Sequence, residues 1–296
     1  MKKEFMIENG VLIRYAGYKT NVVIPEGVTR IGGNAFRARV KRITIPNSVT
    51  TIGDEAFNSC ENLIDITIPD SVTSIGDRAF RYCTSLESIT IPESVTSIGK
   101  EAFFACRNLK SAILPKNIAE ISEGMFNGCA SLTTITIPDG VASIGDSAFC
   151  DCGDLVMLNI PNSVTSIGKH AFSGCVSLES ITVPESVTSI GRCAFWLCES
   201  LKSINLPSGI SNISGGLFGF CTNLTKVNIP KGVKDIGEQA FFECKISKIT
   251  IPEGVKKIGR KAFGKCQKLK EIVLLSKDCK IEEYPCDESI RSKIHI

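Results

Sequence analysis

The chain has 296 residues, of which 43% are hydrophobic and 22% are charged, and this composition excludes a chain that is disordered along most of its length. A formal net charge of +3 gives no general reason to expect nucleic acid or an anionic membrane as the partner. The unusual number is 14 cysteines, which indicates a disulfide or metal framework or else one buried position that recurs along the chain.

The N-terminal segment lacks the hydrophobic core of a signal peptide, because Glu4, Glu8 and Arg14 interrupt its apolar runs. No later window approaches the roughly 20 consecutive apolar residues that span a bilayer. We therefore expect a soluble, cytoplasmic protein without a membrane span. Secretion, or display at the cell surface by a route not visible in the sequence, is the alternative.

Residues 22–274 consist of one repeat in eleven copies. Eleven of the twelve prolines recur at intervals of 23 residues, apart from one interval of 21 and one of 22. Counted from these prolines, position +6 is isoleucine and position +11 is phenylalanine in every copy. Position +14 is cysteine in ten copies and Arg39 in the first. The repeat prolines are Pro25, Pro46, Pro69, Pro92, Pro115, Pro138, Pro161, Pro184, Pro207, Pro230 and Pro252.

The residue pattern of each copy predicts two short strands and one helical turn, as the residues around Pro69 illustrate. One strand precedes this proline, which ends it by removing a hydrogen-bond donor, and a second extended piece follows. Ala79, Phe80 and Cys83 then share a face at the spacing of a helical turn. Asp77 is expected to accept hydrogen bonds from the free backbone N–H groups at the start of that turn.

A single copy cannot bury its apolar side chains, so the copies are expected to stack into a repeat solenoid. We predict parallel strands on its concave face and short helical turns at its corner. Position +14 then becomes a packing position, which predicts buried cysteines with free thiols. Cys150 and Cys193 lie outside this column and are expected to be accessible.

The unit C-x-x-L-x-x-I-x-I-P-x-S-V-T-S-I-G-x-x-A-F-x-x resembles the BspA-like class of leucine-rich repeat, and the resemblance runs from about Val22 to Leu274. It implies a right-handed leucine-rich-repeat solenoid with β/α-type coils. It also implies frequent surface placement in bacteria and protists, with binding or adhesion to host or matrix proteins. It does not imply an enzyme.

Atypical segments at both ends of the array are expected to cap it. Residues 1–21 contain an Asn-Gly turn after Glu8, which predicts an N-terminal cap hairpin. Residues 275–296 are expected to form the C-terminal cap. Cys279 and Cys286 in this segment could form a local disulfide or remain free thiols, and the absence of a nearby histidine cluster argues against a zinc site.

Catalytic residue types are scarce in this sequence. Its two histidines are His170 and His295, and His170 occupies a repeat position that other copies fill with Glu, Asn, Arg or Ser. This pattern predicts a solvated side chain rather than a general base. A glycine recurs at position +7 in nine of the eleven copies, which indicates turns and not a phosphate-binding loop. We therefore predict no enzyme, no catalytic residue, no metal and no cofactor.

Two sets of residues are candidates for partner binding. The residues at position −2 are mostly threonine and asparagine, which predicts a polar ladder on the exposed strands. Apolar residues interrupt it at Ile113, and again at Val156 and Met157 beside Asn159. The alternative for the threonines is β-propensity on an exposed sheet. Positions +12 and +13 carry the second set: Phe104, Trp196, Leu197, Phe220 and Phe242. Aromatic residues on successive coils predict an apolar contact patch, or else side chains folded back over the core edge.

Charge is unevenly distributed, since both ends of the repeat array are basic and its middle is acidic. This distribution favours self-association or an acidic partner near Lys256 and Arg260, although a solvated charged face explains it equally simply. Together these features predict a non-enzymatic protein-protein interaction scaffold with an unidentified protein ligand and no nucleic acid. A cell-surface adhesin for host or matrix proteins and a structural coat component are the alternatives.

Overall fold

The computed structural model describes residues 4–282 and 294–295, and these residues form no α-helix. The chain divides into two compact units, Met1–Val141 and Ala142–Ile296. Short strands alternate with turns throughout both units. The strands of the first unit are β1 (Phe5–Glu8), β2 (Val11–Tyr15), β3 (Asn21–Val23), β4 (Arg30–Ile31), β5 (Arg42–Thr44), β6 (Thr51–Ile52), β7 (Asp65–Thr67), β8 (Ser74–Ile75), β9 (Ser88–Thr90), β10 (Ser97–Ile98), β11 (Ser111–Ile113), β12 (Glu120–Ile121) and β13 (Thr134–Ile135).

The second unit repeats the same alternation. Its strands are β14 (Ser143–Ile144), β15 (Met157–Asn159), β16 (Ser166–Ile167), β17 (Ser180–Thr182), β18 (Ser189–Ile190), β19 (Ser203–Asn205), β20 (Asn212–Ile213), β21 (Lys226–Asn228), β22 (Asp235–Ile236), β23 (Lys248–Ile251), β24 (Lys257–Ile258), β25 (Glu271–Leu274), β26 (Lys280–Ile281) and β27 (Ile294–His295). From β3 to β24, the odd-numbered strands precede the repeat prolines and the even-numbered strands follow them; β25 and β27 continue the first set and β26 the second. We call these the pre-proline and post-proline strands.

The strands stack in parallel and in register, so that each residue pairs with its counterpart one coil away. Ile43 of β5 pairs with Ile66 of β7, and Ile144 of β14 pairs with Ile167 of β16. The prediction of a solenoid with parallel strands is thereby confirmed. Its handedness and the concave position of the pre-proline strands stay predictions.

Phenylalanine at position +11 forms the centre of the core in both units. All eleven side chains are at most 1% exposed. Stacked rings lie 5.1 Å apart between Phe57 and Phe80 and 5.4 Å apart between Phe172 and Phe195. Tyr15 extends the first stack at the N-terminal end, with its ring 5.8 Å from that of Phe36. Each coil therefore buries one aromatic ring beside several aliphatic side chains, and the stacked rings add contact between neighbouring coils.

The predicted helical turns are wrong, because the corner consists of successive tight turns. Glu55 and Ser59, at positions +9 and +13, have φ values of 55° and 58°, which a right-handed helix does not allow. The N–H groups of Glu55, Phe57 and Ser59 donate to carbonyls of the next coil at 2.7 to 2.8 Å. Alternate N–H groups of the corner thus donate hydrogen bonds to the next coil, whereas the N–H groups of an α-helix donate to carbonyls of the same helix.

Asp77 also has a different partner from the one predicted. Its carboxylate Oδ1 accepts a hydrogen bond at 2.8 Å from the backbone N–H of Lys100, which lies on the next coil. Asp54 accepts in the same way from the N–H of Asp77, at 2.9 Å. These aspartates therefore tie neighbouring coils together and do not cap a turn of their own coil.

The ends of the array continue the stacking of the repeats. At the N-terminus, β1 and β2 form the expected antiparallel hairpin, and β2 also pairs in parallel with β4. Near the C-terminus, β26 pairs in parallel with β24, and β27 pairs with β25. Cys286 lies outside the described residues, so its pairing with Cys279 and the limits of the two caps stay predictions.

Ser147 lies at a left-handed turn position, with a φ of 55°. This conformation leads to a prediction about the stability of the fold. Substitution Ser147→Val should lower the free energy of unfolding by about 1 to 2 kcal/mol, because a β-branched side chain is disfavoured in this region. Ser147→Gly relieves that constraint and is the matched control. Thermal or urea unfolding of the two variants tests the assignment, and equal stability of both would contradict it.

Candidate interaction surfaces

The cysteines of position +14 form a buried column in each unit. All ten are at most 2% exposed. Where the hydrogen bond is described, the Sγ of each donates to the carbonyl of the phenylalanine on the preceding coil, as Cys106 does to Phe80 at 3.1 Å and Cys198 to Phe172 at 3.2 Å. Burial raises the pKa of the Cys106 thiol to about 12. These cysteines are free thiols that pack and donate, as the sequence predicted.

The groups with catalytic potential are dispersed over the coils. His170 is exposed in a left-handed turn, as expected. Cys150 is half-buried, and burial raises its pKa to about 12, which suppresses the thiolate that a nucleophile needs. Cys193 was expected to be accessible, but it is only 8% exposed because its side chain packs toward Gly215 and Gly216 of the next coil. Within residues 4–282, no three metal-ligating side chains come together.

The pre-proline strands present an exposed row of side chains in each unit. In the first unit Ile113 is 62% exposed. In the second, Val156 is 44% and Met157 is 61% exposed, and Asn159 lies beside Thr182 of the next strand. All four predicted residues therefore point to solvent, and they belong to two units that each carry their own patch.

Further along the second unit, the pre-proline strands line a polar groove of about 450 Å³. Two lysines that the sequence reasoning passed over, Lys226 and Lys248, contribute to it. They lie at position −4 of their repeats, which the two-residue period of a strand places on the same exposed face as position −2. The exposed lining residues are Ser203, Asn205, Thr225, Lys226, Asn228, Lys248 and Thr250.

The aromatic residues of positions +12 and +13 in the second unit form a continuous edge-to-face column. Trp196 and Phe220 lie 4.9 Å apart at an angle of 66°, and Phe220 and Phe242 lie 5.3 Å apart at 62°. The Trp196 ring covers Gly219 so closely that a Cβ atom there would overlap it. Phe242 is only 8% exposed. These contacts favour side chains that cover the core edge; a binding role stays a prediction.

In the first unit, Phe104 belongs to a smaller cluster at the same edge. Its ring meets Tyr82 edge-on at 5.7 Å, and the guanidinium of Arg81 lies 4.9 Å from the centre of each ring. Leu197, predicted with the aromatics, is half-buried in a left-handed turn of the second unit. Adjacent arginine and tyrosine at positions +12 and +13 would have indicated the Arg81 cluster from sequence.

Comparison with known families explains this regularity. The model of the BspA type leucine-rich repeat region matches in six copies, over residues 15–133, 119–244 and 189–296. The chain belongs to the BspA-type leucine-rich repeat family. No curated protein matches it significantly. Within the described residues, no helix has the length and apolar character needed to cross a membrane.

Solved structures of bacterial leucine-rich repeat proteins are similar to this fold. A leucine-rich repeat protein from Bacteroides ovatus is 29% identical, with 95% of this chain and 87% of that chain covered and a TM-score of 0.65. A leucine-rich cell surface protein from Faecalibacterium prausnitzii is 28% identical, with 94% of both chains covered and a TM-score of 0.55. A repeat protein from Eubacterium ventriosum is 25% identical, with 93% and 87% covered and a TM-score of 0.62.

The buried thiols of the BspA-type repeats should resist modification in the folded protein. At pH 8 we expect the ten cysteines of position +14 to be unreactive toward a thiol reagent, because they are buried and their thiolates are disfavoured. Denaturant should make all ten of these thiols reactive. A colorimetric thiol assay with and without denaturant measures both states, and rapid native reaction of position +14 cysteines would contradict the burial.

The contacts of Trp196 in the aromatic column lead to a separate prediction about stability. Trp196→Ala should lower the free energy of unfolding by about 2 kcal/mol, because it removes a partly buried ring and its edge-to-face contact. Met157→Ala removes a side chain that is 61% exposed and should leave stability unchanged. Thermal unfolding of both variants measures the difference. An unaltered melting temperature for Trp196→Ala would instead favour the column as a free contact patch.

Proposed function

We propose that this chain is a non-enzymatic scaffold that binds a protein ligand through the exposed side chains of its pre-proline strands. The observation that carries the proposal is the row of solvent-facing residues on these strands, which varies in chemistry while the frame beneath it repeats. Such a surface is what solenoid proteins use to contact partners.

The post-proline face is less suited to binding, because its polar side chains already bond to neighbouring coils. Thr73 donates to the carbonyl of Thr50, Ser71 donates to that of Val49, and the carboxylate of Asp54 accepts from the Asp77 N–H. In the described part of the chain, by contrast, the side-chain amides of Asn205 and Asn228 have no intramolecular hydrogen bond. A ligand can therefore pair with these amides without breaking existing bonds.

The composition of the pre-proline surface fits a protein ligand. Met157 and Val156 supply exposed apolar area in the second unit, and a polar groove with Lys226 and Lys248 lies on later strands of the same unit. Apolar anchors beside polar groups that fix orientation are the usual composition of a protein interface. The groove lining includes no histidine, cysteine or carboxylate, which supports recognition over catalysis.

We further propose that the protein acts at the cell surface or after secretion, in place of the cytoplasmic location expected from the sequence. The relative from Faecalibacterium prausnitzii is described as a cell surface protein and matches over 94% of both chains. The many cysteines do not oppose this location, because thiols that are buried and hydrogen-bonded are protected from oxidation. An adhesin role is the more specific version of this proposal.

Site-specific photo-crosslinking tests the binding face. A photoreactive residue at Asn205 should form adducts with a protein partner in the native cells, whereas one at Thr73, on the post-proline face, should not. Met157→Ser should reduce crosslinking from a probe at Asn159, since it removes an apolar anchor. Equal adduct formation from both faces, or adducts from the Phe220 edge alone, would refute the proposed face.

Protease added to intact cells tests the location, because a surface protein is digested and a cytoplasmic one is not.

A further inference from the structure

The first coil departs from the repeat at the position where every later coil has a buried cysteine. Arg39 occupies position +14, and its side chain is exposed rather than packed in the core. Together with Arg14, Tyr18 and Arg37 it lines a cleft of about 250 Å³ at the N-terminal end of the first unit. The replacement of a packing residue by a cation thus coincides with an open cleft.

Two separate segments bring positive charge to this cleft. Arg14 comes from β2, while Arg37 and Arg39 come from the first corner of the solenoid. The lining includes no aspartate or glutamate. Among residues 4–282, none of the three arginines forms a salt bridge with a carboxylate. Their guanidinium N–H groups can therefore donate hydrogen bonds to an external anion.

The loop that completes the cleft is held in place by the core. Tyr15 packs between Phe5 and Phe36, at ring distances of 5.0 and 5.8 Å. Its hydroxyl oxygen accepts a hydrogen bond from the Lys19 N–H at 3.1 Å. Gly17 lies so close to the Tyr15 ring that any side chain there would overlap it. The loop carrying Tyr18 is consequently fixed before a ligand arrives, which lowers the entropic cost of binding.

Tyr18 adds an aromatic surface to the cationic cleft. Its side chain is 84% exposed, the largest fraction among the exposed large hydrophobic residues of the described chain. The guanidinium of Arg39 lies 5.3 Å from its ring centre, a cation–π distance that orients the arginine. A ligand that combines an anion with a flat apolar group would therefore find both partners in one cleft.

We propose that this cleft binds a tetrahedral oxyanion, a phosphate or sulfate ester carried by a ligand. Arginine is the side chain best suited to such groups, because its planar guanidinium donates two parallel hydrogen bonds to their oxygens. The cleft is smaller than the roughly 300 to 1,000 Å³ of sites for drug-sized molecules, which favours a small anionic group. This site is independent of the pre-proline surface, so either proposal can fail without the other.

Titration calorimetry of the full chain with phenyl phosphate, phenyl sulfate and phenol tests the site. Both esters should bind in the millimolar range at low ionic strength, and phenol should not, because its lack of charge removes the arginine contacts. Tighter binding of phenyl phosphate would identify phosphate esters as the preferred source of the anion, and tighter binding of phenyl sulfate would identify sulfate esters. Absence of saturable binding of both esters up to about 10 mM would overturn the proposal.

Variants distinguish the cleft from general surface charge. Arg37→Gln and Arg39→Gln should each weaken ester binding about tenfold, since each removes a charge-assisted contact. Arg39→Cys restores the residue of the other coils and should weaken binding equally without lowering the melting temperature. Arg107→Gln removes an exposed arginine elsewhere in the first unit and should leave affinity unchanged. A loss as large in Arg107→Gln as in Arg39→Gln would show nonspecific attraction and refute the site.

Discussion

The contact between each residue and its counterpart one coil away is the interaction on which the rest of this fold depends. No coil has enough apolar area to fold alone, so phenylalanine rings, cysteine thiols and backbone N–H groups all find their partners on an adjacent coil. Because one residue type satisfies the same contact in every copy, the sequence repeats wherever the chain faces its neighbours. Positions that face solvent are released from this constraint, and their chemistry varies.

This division between repeated and variable positions explains where recognition can occur. Side chains on the post-proline strands and corners complete bonds between coils, as Asp77 does with the Lys100 N–H, so replacing them weakens the stack. Some exposed pre-proline residues also join neighbouring coils, as Lys248 does with Glu271 at 2.8 Å. Others have no such contact, and residues as different as Met157 and Lys226 fit there. The first coil has an additional freedom. No coil with a core phenylalanine precedes it. Arg39 is exposed at position +14, where the later coils have a buried cysteine.

Much of the fold was predictable from the spacing of residues, because a strict period fixes which side chains stack. The parallel register, the phenylalanine core and the buried cysteines all follow from it. The corner was not predictable in this way, since a three- and four-residue spacing states that Phe80 and Cys83 share a face but not which φ values bring them there. The half-buried state of Trp196 and the burial of Cys193 depend on glycines of the next coil, Gly219 and Gly216, which only the structure brings beside them.

In-register stacking also affects how such a chain can change its length. A whole copy added or removed preserves every pairing, since each coil offers its neighbours the same donors, acceptors and ring. The gain or loss of a single residue within a strand would instead displace the following side chains from their columns. The copies of 21 and 22 residues keep their strands in register because they are shorter only in the turn after position +14. Duplication and unequal recombination of gene segments encoding complete repeats are therefore tolerated routes of evolution for this protein. They alter its reach by discrete increments while the chemistry of its first coil stays intact.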